Sequence, residues 1–197
     1  MRKIFVVGGM GAGKSTARQA LVDAGLPYID LDEVGHQVLK WDTVKEELAE
    51  TFGADVLDAD GEVIRSAVAA RAFVSPADTR KLNRITMPRI EEAYTDRMRE
   101  LEAAGTDAVV VEYSAFKNRE TSLAYSADVV IAVLAPTDVR IERAVASGFE
   151  EDDVRRRIAR QITDADRVEA ADVVFNNNSS KDELYNKVLA WWESYAE

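Results

Sequence analysis

Nine residues near the start of the chain, Gly8-Gly9-Met10-Gly11-Ala12-Gly13-Lys14-Ser15-Thr16, spell a complete G-x-x-x-x-G-K-[ST] phosphate-binding loop. Glycines let the backbone turn tightly, so that successive N–H groups converge on one concavity, and the helix that follows adds its positive dipole end. In such a loop the Lys14 ammonium reaches the β- and γ-phosphates of a nucleotide, and the Ser15 hydroxyl can ligate Mg²⁺. Asp32 is a carboxylate of the kind that orients and deprotonates an acceptor hydroxyl during phosphoryl transfer; the alternative makes it the N-cap of a helix beginning at Glu33. Asp30 is placed to support Mg²⁺ through water, and Glu112 either holds a metal-bound water or is a solvated strand end. His36, the only histidine, follows Asp32 by one helical turn and either touches substrate or serves a structural role. Arg143, Arg157, Arg160 and Arg167 stand where a lid over the nucleotide would bring guanidinium forks to the transferring group. A solvated helix face is the competing reading of such a run.

Positioning these groups takes strands that end at one level. Apolar runs at Ile4–Val7, Tyr28–Asp30, Ala108–Glu112, Val129–Val133 and Asp172–Phe175 read as strands, each followed by helical periodicity. This alternation predicts an α/β fold with a parallel sheet covered on both faces and ligands beyond the carboxyl ends of the strands. The first strand feeds the glycine loop, and Ala17 to Val22 continues as a helix. The second strand ends at Asp30-Leu31-Asp32 and the third at Glu112-Tyr113-Ser114, so all three should face one cleft. Between them the pattern predicts a helix through Val44–Ala49 closing at Phe52-Gly53, a turn at Asp60-Gly61, and a helix from Ile64 to Phe73. Pro76 starts another helix and Pro88 a last one, running to about Ala104. Glu150-Glu151-Asp152-Asp153 suits a helix start, after which Val154, Ile158 and Ile162 would share one apolar stripe. Trp191-Trp192 are expected to pack on the flank of the sheet.

At 197 residues, 47% of them apolar, the chain supports one sizeable core with a small inserted subdomain. The absence of cysteine excludes disulfides, thiolate metal sites and cysteine nucleophiles. A net charge of −11 argues against a nucleic-acid or anionic-membrane surface, so neither nucleic acid nor membrane is expected as a partner. No window is long enough to span a bilayer and no signal peptide precedes the first strand, so a cytoplasmic location is expected. An acidic protein that attracts phosphate must concentrate its positive groups, and Lys14 with the Arg140–Arg167 stretch supplies them. An Asn-Lys-x-Asp guanine-reading motif is absent, which argues against a GTPase switch.

Further segments occur in a fixed order. Tyr28-Ile29-Asp30-Leu31-Asp32 is followed by Val34-Gly35-His36-Gln37-Val38-Leu39, then Phe52-Gly53-Ala54, then Asp60-Gly61-Glu62-Val63-Ile64-Arg65 and Ala72-Phe73. Leu82-Asn83, Met87-Pro88, Arg157-Ile158-Ala159-Arg160-Gln161, Arg167 and Ala171 through Ser179 complete the set. Together with the loop, this set resembles the dephospho-coenzyme A kinase family over nearly the whole chain. The resemblance implies an α/β P-loop kinase fold: a five-stranded parallel sheet flanked by helices, with a helical substrate-binding insertion and a lid. The core would span about 1–32, 106–138 and 168–197, the coenzyme A-binding insertion about 33–105, and the lid about 139–167. The implied reaction is ATP-dependent phosphorylation of the ribose 3′-hydroxyl of dephospho-coenzyme A, a small-molecule substrate, with Mg²⁺. Carried over, Asp32 is the base, Lys14 the phosphate clamp and Ser15 the Mg²⁺ ligand, with Gly9, Gly11, Ala12, Gly13 and Thr16 around the phosphates. Arg143 falls in the lid as a catalytic and nucleotide contact, and Asn176 and Asn177 lie near the adenine. The chain departs from the family pattern at three places. Met87 replaces a histidine, Tyr113-Ser114-Ala115-Phe116 replaces a proline and two leucines, and Ala146-Ser147-Gly148-Phe149 replaces the lid's Arg-Asp pair. A related nucleoside or nucleotide kinase, or a nucleotide-binding homologue impaired in transfer, are the alternatives.

Overall fold

The computed structural model describes residues 1–196. Five strands, β1 (Arg2–Gly8), β2 (Tyr28–Asp30), β3 (Ala108–Tyr113), β4 (Val129–Leu134) and β5 (Val173–Asn176), pair in parallel in the order β2-β3-β1-β4-β5. Every residue of β3 is buried, as is Ile4–Val7 of β1; near-continuous β-branched runs are what a strand covered on both faces requires. The register pairs Asp30 with Glu112, Val7 with Tyr113 and Gly8 with Val133, which brings the carboxyl ends of β1 to β4 to a common level. The strand order reverses at β1, with β3 on one side and β4 on the other. That places the crevice favoured by ligands at the end of β1, where the glycine loop begins.

Between β1 and β2 lies α1 (Lys14–Asp23); between β2 and β3 lie α2 (Leu31–Val38), α3 (Asp42–Phe52), α4 (Arg65–Ala72) and α5 (Pro76–Ala103). After β4 come α6 (Thr137–Ala146), α7 (Glu151–Ala159) and α8 (Asp164–Ala170), and after β5 comes α9 (Lys181–Ala196). Residues 1–30 and 102–196 form one compact unit, and residues 31–101 another. No helix among the described residues is long and apolar enough to cross a membrane.

In the first unit Ile4, Val6, Val110 and Ile131 pack against Ala17 and Leu21 of α1 and Leu184 and Val188 of α9. Trp191 and Trp192 lie against this cluster, as expected, and the Arg2 guanidinium sits 5.4 Å from the Trp192 ring centre. In α7 the acidic first turn is where the sequence placed it, but the helix ends at Ala159, so Ile162 lies outside the apolar stripe. Val154 and Ile158 form that stripe, packing with Ile141, Ala144 and Met10. A capping box opens α8: Thr163 Oγ1 accepts from the Asp166 N–H at 3.2 Å, while the Asp166 carboxylate accepts from the Thr163 N–H at 2.9 Å.

The second unit has its own core of Val38, Val44, Leu48, Val56, Val68, Ala72 and Ile85. The turn at Asp60-Gly61 forms as expected, with the Asp58 carboxylate accepting the N–H groups of Asp60 and Glu62 and Gly61 at φ +78°. Two expectations are corrected here. α5 runs unbroken through Pro88, which therefore opens no new helix. The missing N–H of an interior proline costs about 3 kcal/mol. Burial of Ile85 before it and of Tyr94, Met98 and Leu101 after it sustains one helix across the defect. The other correction concerns α2, which starts at Leu31, so Asp32 is already in its first turn and does not cap a helix from Glu33.

Candidate active site

The loop between β1 and α1 takes its shape from two glycines. Gly11 has φ +74° and Gly13, the N-cap of α1, φ +108°, a region where L side chains are strained. Space is equally restrictive: a Cβ on Gly13 would collide with Asn177 Nδ2, and one on Gly11 with the Arg140 carbonyl. Inside the loop the Ala12 N–H donates to Gly9 O at 3.1 Å, and the N–H groups of Thr16 and Ala17 turn back to Gly13 O to start the helix. Lys14, almost fully buried, folds its Nζ back to 3.4 Å from Gly9 O. Ser15 is exposed in the first turn of α1.

Residues far along the chain brace this loop. Asn177, just after β5, donates its Nδ2 to Ala12 O at 2.8 Å and its backbone N–H to Leu134 O at 2.7 Å, and is 3% exposed. Its side chain is thus committed to the loop backbone, whereas the neighbouring Asn176 is exposed. Arg143 of α6 donates Nη2 to Asn177 O at 3.2 Å and to Ser179 O at 3.3 Å. These contacts place its guanidinium on the 177–179 segment.

Arg140, one turn earlier on α6, is the guanidinium that reaches the glycine loop. Its Nε donates to Met10 O at 3.0 Å and its Nη2 to Gln161 Oε1 at 3.3 Å, while Nη1 lies 3.5 Å from Asp164 Oδ1. Gln161 Oε1 also accepts the Met10 N–H at 3.0 Å. A Cβ on Gly9 would overlap the Arg140 guanidinium, so this glycine is required by a side chain 131 positions away. Burial lowers the pKa of Arg140 from its ordinary value; Asp164 opposes that shift and nearby Arg167 adds to it. Arg167, also buried, shares the same Asp164 carboxylate at 2.7 Å. Two cations thus stand against one anion behind the loop, the local positive charge that an acidic chain needs.

On the other side of the sheet centre, Arg18 of α1 bridges two strand-end carboxylates. Its Nη1 is 3.1 Å from Asp30 Oδ2 and 3.2 Å from Glu112 Oε2, and its guanidinium stacks 4.6 Å from the Tyr28 ring centre. Glu112 is therefore buried and ion-paired, and the solvated strand end considered for it does not occur. Among the described residues no group of three His, Cys, Asp or Glu side chains could hold a metal ion. An exposed Ser15 hydroxyl still suits Mg²⁺, which usually keeps several waters and takes few protein ligands beside substrate phosphates.

Asp32 is exposed in the first turn of α2, and His36, exposed one turn later, accepts from Arg65 Nη1 through Nε2 at 2.6 Å. Arg157 pairs with Asp153 at 2.6 Å beneath Phe149, and Arg160 is exposed. A groove of about 610 Å³ on the second unit is lined by Arg80, Lys81, Arg84, Met87 and Glu91 among others, three cations and one carboxylate beside apolar surface. Arg18 belongs to none of the segments of the family pattern and Gln161 only to the Arg157–Gln161 segment, and the contacts of Arg18, Arg140 and Gln161 are revealed only by the folded chain.

Known proteins resemble this chain over nearly its whole length. The profile of the family described as dephospho-CoA kinase matches residues 3–183. A dephospho-CoA kinase of Corynebacterium efficiens is 42% identical over 186 residues, covering 93% of this chain and 92% of that one. The crystal structure of TT1252 from Thermus thermophilus superposes with a TM-score of 0.81 at 25% identity, covering 98% of this chain and 97% of its own. A dephospho-CoA kinase from Campylobacter jejuni shares the fold with a TM-score of 0.66 at 18% identity, covering 98% and 96% of the two chains.

Proposed function

Because this chain belongs to the dephospho-CoA kinase family, we propose that it transfers the γ-phosphoryl group of ATP to the ribose 3′-hydroxyl of dephospho-coenzyme A. The single observation that carries this reading is the family match over residues 3–183, which takes in the phosphate loop with its two left-handed glycines. The acceptor oxygen attacks the γ-phosphorus, the bond from that phosphorus to the β–γ bridging oxygen breaks, and ADP leaves. The proton of the attacking hydroxyl goes to the Asp32 carboxylate. Lys14 and the loop N–H groups hold the β- and γ-phosphates in place as charge moves toward the leaving oxygen. Mg²⁺, when bound to the Ser15 hydroxyl, neutralises phosphate charge.

The groove carrying Arg80, Lys81 and Arg84 beside Met87 suits an acceptor that joins a diphosphate to a long, partly apolar arm. Arg143 and the 177–179 segment form the adenine side of the nucleotide site in this reading. ATP supply and a small-molecule acceptor fit a cytoplasmic reaction. A coupled assay of ADP release with dephospho-coenzyme A beside a panel of nucleosides tests the proposal, with the product's mass locating the added phosphate. Phosphorylated dephospho-coenzyme A is expected; consumption of a nucleoside alone would overturn the acceptor assignment.

A further inference from the structure

The backbone of one loop residue is gripped at both of its polar groups. Met10 gives its N–H to Gln161 Oε1 at 3.0 Å and accepts at its C=O from Arg140 Nε at 3.0 Å. The same Gln161 oxygen takes Arg140 Nη2 at 3.3 Å, so it faces two donors and the amide orientation is fixed by its neighbours. The Met10 side chain adds a third point of attachment among Ile141, Ala144, Val154 and Ile158. Loop glycines admit this approach because Gly9 and Gly11 leave no Cβ in the way of Arg140.

We propose that Gln161 and Arg140 are positioning residues that clamp the phosphate loop at Met10 and so preform its nucleotide-binding conformation. The proposal rests on the reading of this loop as the nucleotide site. Neither side chain needs to touch ATP. The neighbouring Gly11 carries a left-handed φ of +74° and depends on the placement of the Met10 peptide before it. A flexible glycine-rich segment would otherwise have to be ordered by the nucleotide itself, at a cost to affinity. Gln161 follows α7 and Arg140 lies on α6, so the clamp ties the loop to both helices.

The test compares Gln161→Leu, which removes both acceptor contacts, with Gln161→Glu, which keeps an oxygen at the same reach. In Gln161→Leu the Kd for Mg-ATP by calorimetry and the KM for ATP should rise about tenfold, with kcat within about threefold of the parent. The KM for the acceptor should stay unchanged. Gln161→Glu should remain within about threefold of the parent in ATP affinity, since both donors keep a partner. Hydrogen exchange gives a readout independent of turnover: the Met10 amide should be protected in the ligand-free parent and exchange at least tenfold faster in Gln161→Leu. Unchanged ATP affinity and unchanged Met10 protection in Gln161→Leu would overturn the clamp. Equal loss of affinity in Gln161→Glu and Gln161→Leu would overturn it too, because the essential group would then be the amide N–H₂. If Met10 protection falls as expected while dephospho-coenzyme A is not phosphorylated, the clamp stands and the acceptor assignment fails.

Discussion

Replacing Gly13 by alanine tests how the phosphate loop is held, and its effect divides into two separable parts. The first is local. Gly13 has φ +108°, and an L side chain in the left-handed region costs about 1–2 kcal/mol. The second is an overlap, because the new methyl would occupy the place of Asn177 Nδ2. Moving Asn177 aside breaks its 2.8 Å bond to Ala12 O, a buried hydrogen bond that contributes about 1–1.5 kcal/mol. The Gly13→Ala protein should therefore lose about 2–3.5 kcal/mol, and Asn177→Ala alone about 1–1.5 kcal/mol, since each breaks that same bond. The double variant should lose no more than Gly13→Ala by itself, because the methyl then enters vacated space. Urea denaturation of all four proteins, with m-values checked for constancy, would give a coupling of about 1–1.5 kcal/mol. Strictly additive losses would show that Asn177 and Gly13 do not contend for one volume, and the account of the loop given above would be wrong.

Other consequences are as open to measurement. Asp32→Asn should retain Mg-ATP affinity within about threefold while turnover falls by about 10²–10⁴, the usual contribution of a general base; near-normal turnover would remove Asp32 from the proton transfer. Arg84→Glu should raise the KM for dephospho-coenzyme A by about tenfold or more with the KM for ATP unchanged, and a selective effect on ATP would contradict the acceptor groove. Hydrogen bonds from the Thr163 side chain and then its backbone hold the Asp166 carboxyl below its ordinary value of 3.8. Stability from this capping box is therefore complete above that value and lost as pH falls through the lower folded one. An Asp166→Asn protein should show a flatter acid-unfolding profile there, and an unchanged profile would dismiss the link.

The sheet and the loop were legible because both are written locally. Runs such as Ala108-Val109-Val110-Val111 announce a buried strand, and the spacing of Gly8, Gly13 and Lys14 announces a phosphate cradle. Pro88 misled because its local penalty was weighed without the apolar side chains on either side of it that keep α5 in one piece. In sequence Arg143 stood out as a lid contact, and Arg140 only as the start of a cationic stretch. Being one helical turn apart on α6, they meet different neighbours, Arg143 the 177–179 segment and Arg140 the Met10 peptide. Gln161 closed the Arg157–Gln161 segment of the family pattern, but its role was not readable there, since it depends on an amide 151 residues earlier. Arg18 is similar: a helix position reads as a surface cation until the register of β2 on β3 brings two carboxylates under it.

The central position of β1 has a consequence for synthesis. β1 leaves the ribosome before the two strands that flank it, β3 and β4, whose residues begin at Ala108 and Val129. Asn177 and Gln161, which steady the turn at its end, emerge later still. A nascent chain must therefore carry an unpaired, strongly apolar strand until Ala108 and the residues after it have emerged, a stretch in which chaperones have reason to attend it. Competence to bind a nucleotide would arrive only after Gln161 and Asn177 have emerged.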